Sequence, residues 1–514
     1  MTSSVNDSSM RRKLVSLDTL AQEIASCQSQ GLRVVHCHGV FDPMHIGHIR
    51  HFAAARKLGD VLVVTVTPDR FVNKGPHRPV FSEDLRAEAI ASLETVDFVA
   101  INRWPMAIET IQTLRPNVFV KGSEFRGGKD LTGAIALEEQ AVQSVGGRLE
   151  FTDDVTFSAS HLVNRHLSVF PQEVSDYLAD FSARYPTGEI LKFLDGARRL
   201  KVLVVGETMI DDYQYVEAIG KSSKEPTLVV KALTSDRFVG GAAAAANHVA
   251  GFTDRVALQS VLGEIHSEED FIRSRLKPNI DAQFLFRERS PTIVKRRFIE
   301  QYFYSKLFEV YELNDELPTV AESAAWTGAL AGRLSQFDVV IVVDSGHGFL
   351  TRELIELLCH ESRFLAVNTQ TNAGNLGYHV ISNYPRADYV CIAENEMRLE
   401  SRDRRSDLRP MMENVSQRLN CSRVVVTRGK KGCSTYRATE GHVDVPAFAS
   451  NVVDRIGAGD AFLSITSLCA AQDAPMEVLG FIGNVVGAQA VATVGNKNSI
   501  ERIPLARHIE HLLK

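Results

Sequence analysis

Two turns in this 514-residue chain carry residue types spaced for work on polyphosphates. The first is GVFDPMHIGHIRHF, from Gly39 to Phe52. His45 and His48 stand three positions apart, so both project from one face of a helix's first turn. Gly47 between them has no side chain and lets a phosphate or a base reach the main chain. A helix N-terminus there offers N–H groups and the positive end of its dipole. Two imidazoles at that point can stabilise phosphate charge as a nucleotidyl group transfers. Surface or capping histidines are the plain alternative; Gly39, Phe41 and Asp42 at the end of a buried strand weigh against it. The second turn is VVDRIGAGDAFLS, from Val452 to Ser464. Gly457, Ala458 and Gly459 precede an apolar helical stretch, and small residues before a helix expose consecutive amides as an anion hole. Asp460, in the helix's first turn, can take the proton of a substrate hydroxyl as a phosphoryl group arrives. Here the plain alternative is a glycine-rich turn with an aspartate cap.

Alternating strand and helix patterns position both turns. Residues 1–12 are polar and read as a tail, and 15–29 as a short amphipathic helix. RVVHCHGVF, DVLVVTVT, VDFVAI, PNVFVKG and GRLEFT read as buried strands, with IRHFAAARKLG and EDLRAEAIASL as helices between them. This alternation predicts a parallel sheet with helices on both faces, and ligands at the carboxyl ends of its strands. Few strand signals appear from 167 to 195, which reads as a helical linker. KVLVVGETMID then opens a second α/β region. It continues through VGGAAAAANH, FDVVIVVDSG, FLAVNTQ, ADYVCIAE and RVVVTRG to the helix after GAGD. The expected division is a tail and helix over 1–30, one domain over 31–166, the linker over 167–195 and a second domain over 196–514.

Apolar residues make up 44% and charged residues 23%, a globular balance, and the net charge of −6 gives no reason to expect nucleic acid. Any positive charge for anionic substrates must be local. Seven cysteines are scattered without a CxxC pair, which fits reduced thiols in a cytoplasm. No apolar run suits a bilayer, so no membrane association is expected.

GVFDPMHIGH resembles the GxFDxxHxGH signature of the cytidylyltransferase-like nucleotidyltransferases. The likeness runs through most of residues 31–165, with Lys74, Arg78, Arg86, Lys121, Gly122, Ser158 and Ser160 in the family's order. Within it, the nearest likeness is to the transferase half of bifunctional heptose kinase/adenylyltransferases. The resemblance implies a Rossmann-like domain in which a sugar-phosphate oxygen attacks the α-phosphate of a nucleoside triphosphate. Gly39, Phe41, Asp42, Gly47 and the residues just named would bind that nucleotide. His45 and His48 would contact the triphosphate, Lys74 and Arg86 would neutralise it, and Mg²⁺ would bridge its oxygens. ATP is the implied donor and CTP the competitor.

Residues 200–510 resemble the ribokinase (PfkB) family of sugar kinases, through GETMIDDY, VGGAAAAANH, VVVTRGKKG and GAGD in that order. The resemblance implies a ribokinase-like α/β domain in which Asp211, Gly240 and Gly241 touch the sugar. Thr427, Gly429 and Asn484 would lie near ATP, Asp460 would be the base, and Glu396 would assist Mg²⁺ through water. PTIVKRRFIEQY resembles a segment of the heptose kinases, making Lys295, Arg296 and Arg297 candidate clamps on a phosphorylated sugar. VVDSGHGFL resembles their strand end at Asp344. The chain also departs from the pattern. The two halves stand in the reverse of the usual order. Asp-Pro-Lys reads Asn368-Thr369-Gln370, Asn-x-x-Glu keeps only Glu396, an expected Asn is Ala244, and Ile456 replaces the usual Thr before GAGD.

The reading that follows is a cytoplasmic two-step enzyme that phosphorylates a heptose-7-phosphate-like sugar at its anomeric hydroxyl and couples the product to a nucleoside monophosphate. Related kinases pair, which implies a homodimer through the kinase domain. Two alternatives stay open: a C-terminal half that only binds or dimerises, and a kinase for a non-heptose sugar.

Overall fold

The computed structural model of the chain describes residues 12–72, 79–122, 134–152, 170–302 and 304–513. It divides into two compact units, one of residues 1–188 with 503–514, the other of residues 189–502.

In the first unit, strands β1 (Val34–Gly39), β2 (Val61–Val66), β3 (Phe98–Ile101), β4 (Val118–Lys121) and β5 (Arg148–Phe151) form one sheet in the order β3-β2-β1-β4-β5. Every pairing is parallel, as the apolar runs require. Successive strand residues face opposite ways, and both faces are buried. Val35, Leu62, Val64, Val99 and Val120 pack with Phe52 and Ile90. Val34 and Val63 pack on the other side with Leu17, Leu20 and Ile24 of the helix Leu17–Ser29. β1 lies between β2 and β4, where the strand order reverses. That reversal opens a crevice at the carboxyl ends of the strands. The helix Ile46–Arg56 starts there.

The second unit is built on β6 (Val202–Lys221), a strand of 20 residues. Its first part lies in a large sheet with β8 (Val256–Ile265), β9 (Ile280–Pro291), β12 (Val339–Asp344), β13 (Leu365–Thr369), β14 (Tyr389–Ala393) and β15 (Arg423–Thr427). The pairings β9-β8-β6-β12-β13-β14-β15 are all parallel. β16 (Cys433–Arg437) and β17 (Gly441–Val445) extend the edge antiparallel. From Thr208 onward β6 leaves this sheet and joins a second one, with β7 (Leu228–Gly241), β10 (Ile293–Glu300) and β11 (Ser305–Glu312). The expected strand at KVLVVGETMID is thus the first half of a longer one. The nearly unbroken apolar helices Ala458–Ala470 and Met476–Ala490 pack on each other and are buried on almost every side.

Both fold expectations hold: a Rossmann-like parallel sheet precedes a ribokinase-like α/β unit.

Candidate functional site

In the first unit a helix begins in the turn after β1. His45 is the N-cap of the helix Ile46–Arg56, and His48 lies in its first turn. Their rings stack with centroids 3.9 Å apart. Nδ1 of His45 accepts the Gly47 N–H at 3.1 Å, and Nδ1 of His48 accepts the His45 N–H at 3.4 Å. A nitrogen that accepts holds no proton, so each ring carries its hydrogen on Nε2. The pair is therefore set as two Nε2–H donors. Phe41 occupies a left-handed conformation at φ +52°, rare for a bulky residue. Its ring meets His48 edge-on at 5.4 Å. A Cβ at position 39 would lie 3.0 Å from that ring, so Gly39 is what lets Phe41 fold back.

Other residues expected on the nucleotide are committed elsewhere. Arg86 is buried, and its guanidinium donates to the carbonyls of Phe81, Val40 and Thr67 and to Asp69. It ties three loops together, a correction to its expected place on the triphosphate. Asp42 accepts the Val80 and Phe81 amides at 2.6 and 3.0 Å, which fastens the same segment to the end of β1. Lys121 ends β4, beside β1, but its ammonium forms a buried ion pair with Glu138 at 2.8 Å. Glu138 went unnoticed in the sequence, although it is an acid on the buried stripe of the helix Ala134–Ser144. Gly122 follows Lys121 at the mouth of the crevice. Lys74, Arg78, Ser158 and Ser160 lie outside the described residues.

In the second unit the carboxyl ends of the strands gather buried charge. Gly457, at φ +80°, caps the helix Ala458–Ala470. A Cβ there would meet the Asn496 side-chain amide at 1.9 Å, and the left-handed conformation is what favours glycine. Nothing crowds Gly459, and the first-turn amides of a helix have no partner within it. Asp460 follows, 9% exposed, and Gln370 Nε2 donates to its Oδ1 at 2.6 Å. Burial, then the Asp211 carboxylate, push Asp460 up to about 7.

Asp211 is buried on β6, and Arg297 of β10 is hydrogen-bonded to it. Gly240 makes room for that carboxylate, since a Cβ there would stand 2.6 Å from Asp211 Oδ2. Gly241, at φ +59°, passes so close to the Glu207 carbonyl that a Cβ would lie at 2.2 Å. Lys295 pairs in register with Asp211 and is buried; burial lowers its proton affinity, while Asp211 opposes the shift. Strand alternation separates the three expected clamps. Lys295 and Arg297 share one face. Arg296 points the other way, bonded to Asp212 at 2.8 Å and Glu312 at 2.6 Å. Arg296 lines a polar cavity of about 280 Å³ with Asp212, Arg237, His266 and Glu268, on the face of β10 away from Lys295. This corrects its expected place beside the other two.

Two more expected residues, Glu396 and Asn484, meet internal bonds. Glu396 accepts the Ala393 amide at 2.6 Å and the Thr371 amide at 3.0 Å, so both oxygens hold backbone; burial raises its proton affinity. Asn484 donates to the Val445 and Pro446 carbonyls at 3.0 and 3.1 Å. Thr427 ends β15, and Gly429, at φ +57°, opens the turn after it with space around its Cα.

The sequence reading missed a cluster beneath these residues. Glu207 is fully buried and accepts the amides of Ser345, His347 and Phe349. Burial and the nearby Asp344 push it up to about 7. Asp344 itself accepts from Tyr384 Oη at 2.7 Å and lies 3.0 Å from His379 Nε2. The GETMID and VVDSG strand ends signalled Glu207 and Asp344, but nothing local signalled His379 or Tyr384.

The described residues hold no group of three or more His, Cys, Asp or Glu placed to bind a metal, and no helix among them is long and apolar enough to cross a membrane.

Two helix starts, each at the carboxyl end of a parallel strand or in reach of buried carboxylates, define a class: α/β enzymes that move phosphate groups. Residues 199–503 match the family described as pfkB family carbohydrate kinase, and residues 36–157 match the one described as cytidylyltransferase-like. The chain belongs to the pfkB family of carbohydrate kinases and carries a cytidylyltransferase-like domain ahead of the kinase domain. The "Bifunctional protein HldE" of Geobacter sulfurreducens is 35% identical over 164 residues, covering 31% of this chain and 32% of that protein. The protein of the same name from Campylobacter fetus is 37% identical over 143 residues, 27% of this chain and 30% of that one. These matches fall on the cytidylyltransferase part, so the chain aligns with about a third of the length of these curated relatives. Phosphofructokinase-2 of Escherichia coli is similar in fold, at TM-score 0.50 and 14% identity over 62% of this chain and 99% of that chain.

Proposed function

We propose that this chain makes an activated sugar nucleotide in two steps. The C-terminal kinase, over 196–514, moves the γ-phosphoryl group of ATP to the anomeric hydroxyl of a heptose-7-phosphate-like sugar. The N-terminal transferase, over 31–166, joins the resulting sugar 1-phosphate to the nucleoside monophosphate of ATP or CTP and releases pyrophosphate. The observation that carries the reading is Asp460: a buried carboxylate with raised proton affinity, one residue past an uncrowded glycine at a helix start. It is placed to accept the hydroxyl proton while the first-turn amides hold the incoming phosphate. In the transferase, Nε2–H of His45 and His48 would donate to the triphosphate, so catalysis is positioning and charge stabilisation. The names of the relatives support pairing the two activities in one chain.

Lys295 and Arg297 would hold the phosphate the sugar already carries. Mg²⁺ fits as an ion that arrives on the triphosphate, keeps several waters and takes few protein ligands, with Glu396 beside it. Sugar phosphate and nucleotide are the partners this reading requires, and it places the protein in the cytoplasm. The exposed Leu228, Leu233, Phe308 and Val310 of the second sheet support a homodimer through the kinase domain. A second reading has a specific basis: Glu396 and Asn484 are committed to internal bonds, as they would be in a kinase-like module that only binds.

Mass spectrometry of products from the whole chain with ATP, CTP and a panel of hexose and heptose phosphates separates these readings. The expected product is a nucleoside diphosphate sugar. His48→Ala lowers pyrophosphate release by about 10²- to 10³-fold and Asp460→Asn abolishes ADP formation, both without unfolding. Undiminished ADP formation by Asp460→Asn removes the base, and its absence in the unaltered protein favours the binding module.

A further inference from the structure

We propose that Gln370 is a positioning residue for phosphoryl transfer: its amide holds Oδ1 of Asp460 and leaves Oδ2 to take the sugar hydroxyl's proton, without bringing a positive charge to the base. The proposal rests on the reading of Asp460 as that base.

Gln370 is well placed to hold a fixed angle. It directly follows β13, its N–H donates to the Asp344 carbonyl at 2.8 Å, and its own carbonyl accepts from Asn375 Nδ2 at 3.3 Å. Its backbone is therefore pinned on both sides. The Nε2–Oδ1 distance of 2.6 Å puts the amide in direct hydrogen-bond contact with the carboxyl. Asp460 is faced by Asp211 from β6, Lys295 from β10 and Glu396 from the helix Glu394–Glu400. Two of those are carboxyl groups that discourage its ionisation, as burial does; Lys295 and the Gln370 amide favour it.

At position 370 the resembled family carries lysine. A lysine reaching the same oxygen would add a full charge and strongly favour the carboxylate. Glutamine keeps the orientation and gives up the charge. The base then stays close to half-protonated near neutral pH, the range in which a general base both accepts and releases a proton readily. In the step itself the hydroxyl proton passes to Oδ2 and the sugar oxygen bonds to the γ-phosphorus. The bond to the β-phosphate oxygen breaks, and ADP leaves.

The test is the pH profile of kcat/KM for phosphosugar-dependent ADP formation in the whole chain, for the unaltered protein, Gln370→Lys and Gln370→Leu. The acid limb of the unaltered protein is expected near pH 7. Gln370→Lys moves it down by about 1–2 pH units, and Gln370→Leu moves it up by about one unit and lowers kcat about tenfold. Coinciding limbs in three active proteins overturn the proposal and leave the kinase reading intact. Carbon-13 NMR of carboxyl-labelled aspartate, assigned with Asp460→Asn, follows the Asp460 titration without turnover and also serves if one variant folds poorly. An Asp460 midpoint that does not respond to position 370 overturns the proposal whatever the activity. A midpoint that responds, in a protein forming no ADP with any phosphosugar, leaves the contact standing and overturns the base reading.

Discussion

Arg86 shows how residue type can mislead at the scale of a single side chain. A cation near a phosphate site invites an electrostatic role, and its place in the family's order strengthens that. The structure instead spends the guanidinium on three carbonyls and Asp69, because a planar five-donor fork is the one side chain able to satisfy them together. Arg86→Lys keeps the charge but strands at least two buried acceptors. Urea unfolding is expected to show a loss of about 3 kcal/mol. A variant of unchanged stability with weakened nucleotide binding would return Arg86 to the triphosphate. His45 and His48 were legible for the opposite reason. Their roles depend on three-residue spacing and a helix start, both local, and even their tautomers follow from main-chain bonds inside the same turn. Glu207, Asp344 and His379 form a cluster no window could reveal, since 137 and 35 positions separate them in turn.

At the scale of elements, the parallel strands were legible because burial on both faces leaves continuous apolar runs. The second sheet was not. Most of β7 and β11 is exposed, and QYVEAIGKSSKEPTLVVKALTSD, the end of β6 and most of β7, has no apolar run longer than LVV to announce a strand. That sheet is tied to the turn before the anion hole through Asp454, which accepts from Tyr213 Oη at 2.5 Å, Lys306 Nζ at 2.8 Å and the Gly495 amide at 3.0 Å. Despite burial, the bonds from Lys306 and Tyr213 hold its carboxyl below the usual range. Asp454→Ala leaves a buried phenol and an ammonium without their acceptor. It is expected to cost about 2 kcal/mol and to speed amide exchange across Thr208–Lys221 more than across β12–β14. KM for the phosphosugar should rise more than kcat falls, because Lys295 and Arg297 stand on the same sheet. Uniform exchange in the variant would mean that the carboxylate ties nothing down.

Across the whole molecule, the buried titratable groups are unevenly shared, and this sets an order of acid failure. The first unit contains His36 and His508, which burial lowers to about 3 and about 4. A histidine depressed in the folded state costs nothing above its unfolded value of 6.5. As pH falls below that, the unfolded chain gains a proton the folded chain refuses, and stability is lost. At pH 5 each such imidazole withdraws about 2 kcal/mol. The second unit has the same liability in His248 and His347, lowered to about 3 and about 4. It also holds Glu207, Glu396 and Asp460, all raised by burial. A raised carboxyl works in the other sense: between its folded value and about 4.5 the folded state takes the proton first, so acidification relieves the cost of burying its charge. The two tendencies oppose each other in the second unit, whereas His36 and His508 act in one direction in the first. Hydrogen exchange at pH 7 and pH 5, corrected for intrinsic rates, should therefore show protection falling across β1–β5 while β12–β15 hold theirs. His36→Gln should restore part of the loss at pH 5 and change little at pH 7. Equal losses in both sheets would mean that the carboxyls of the second unit are already ionised when folded, and the raised base at Asp460 would fall with them.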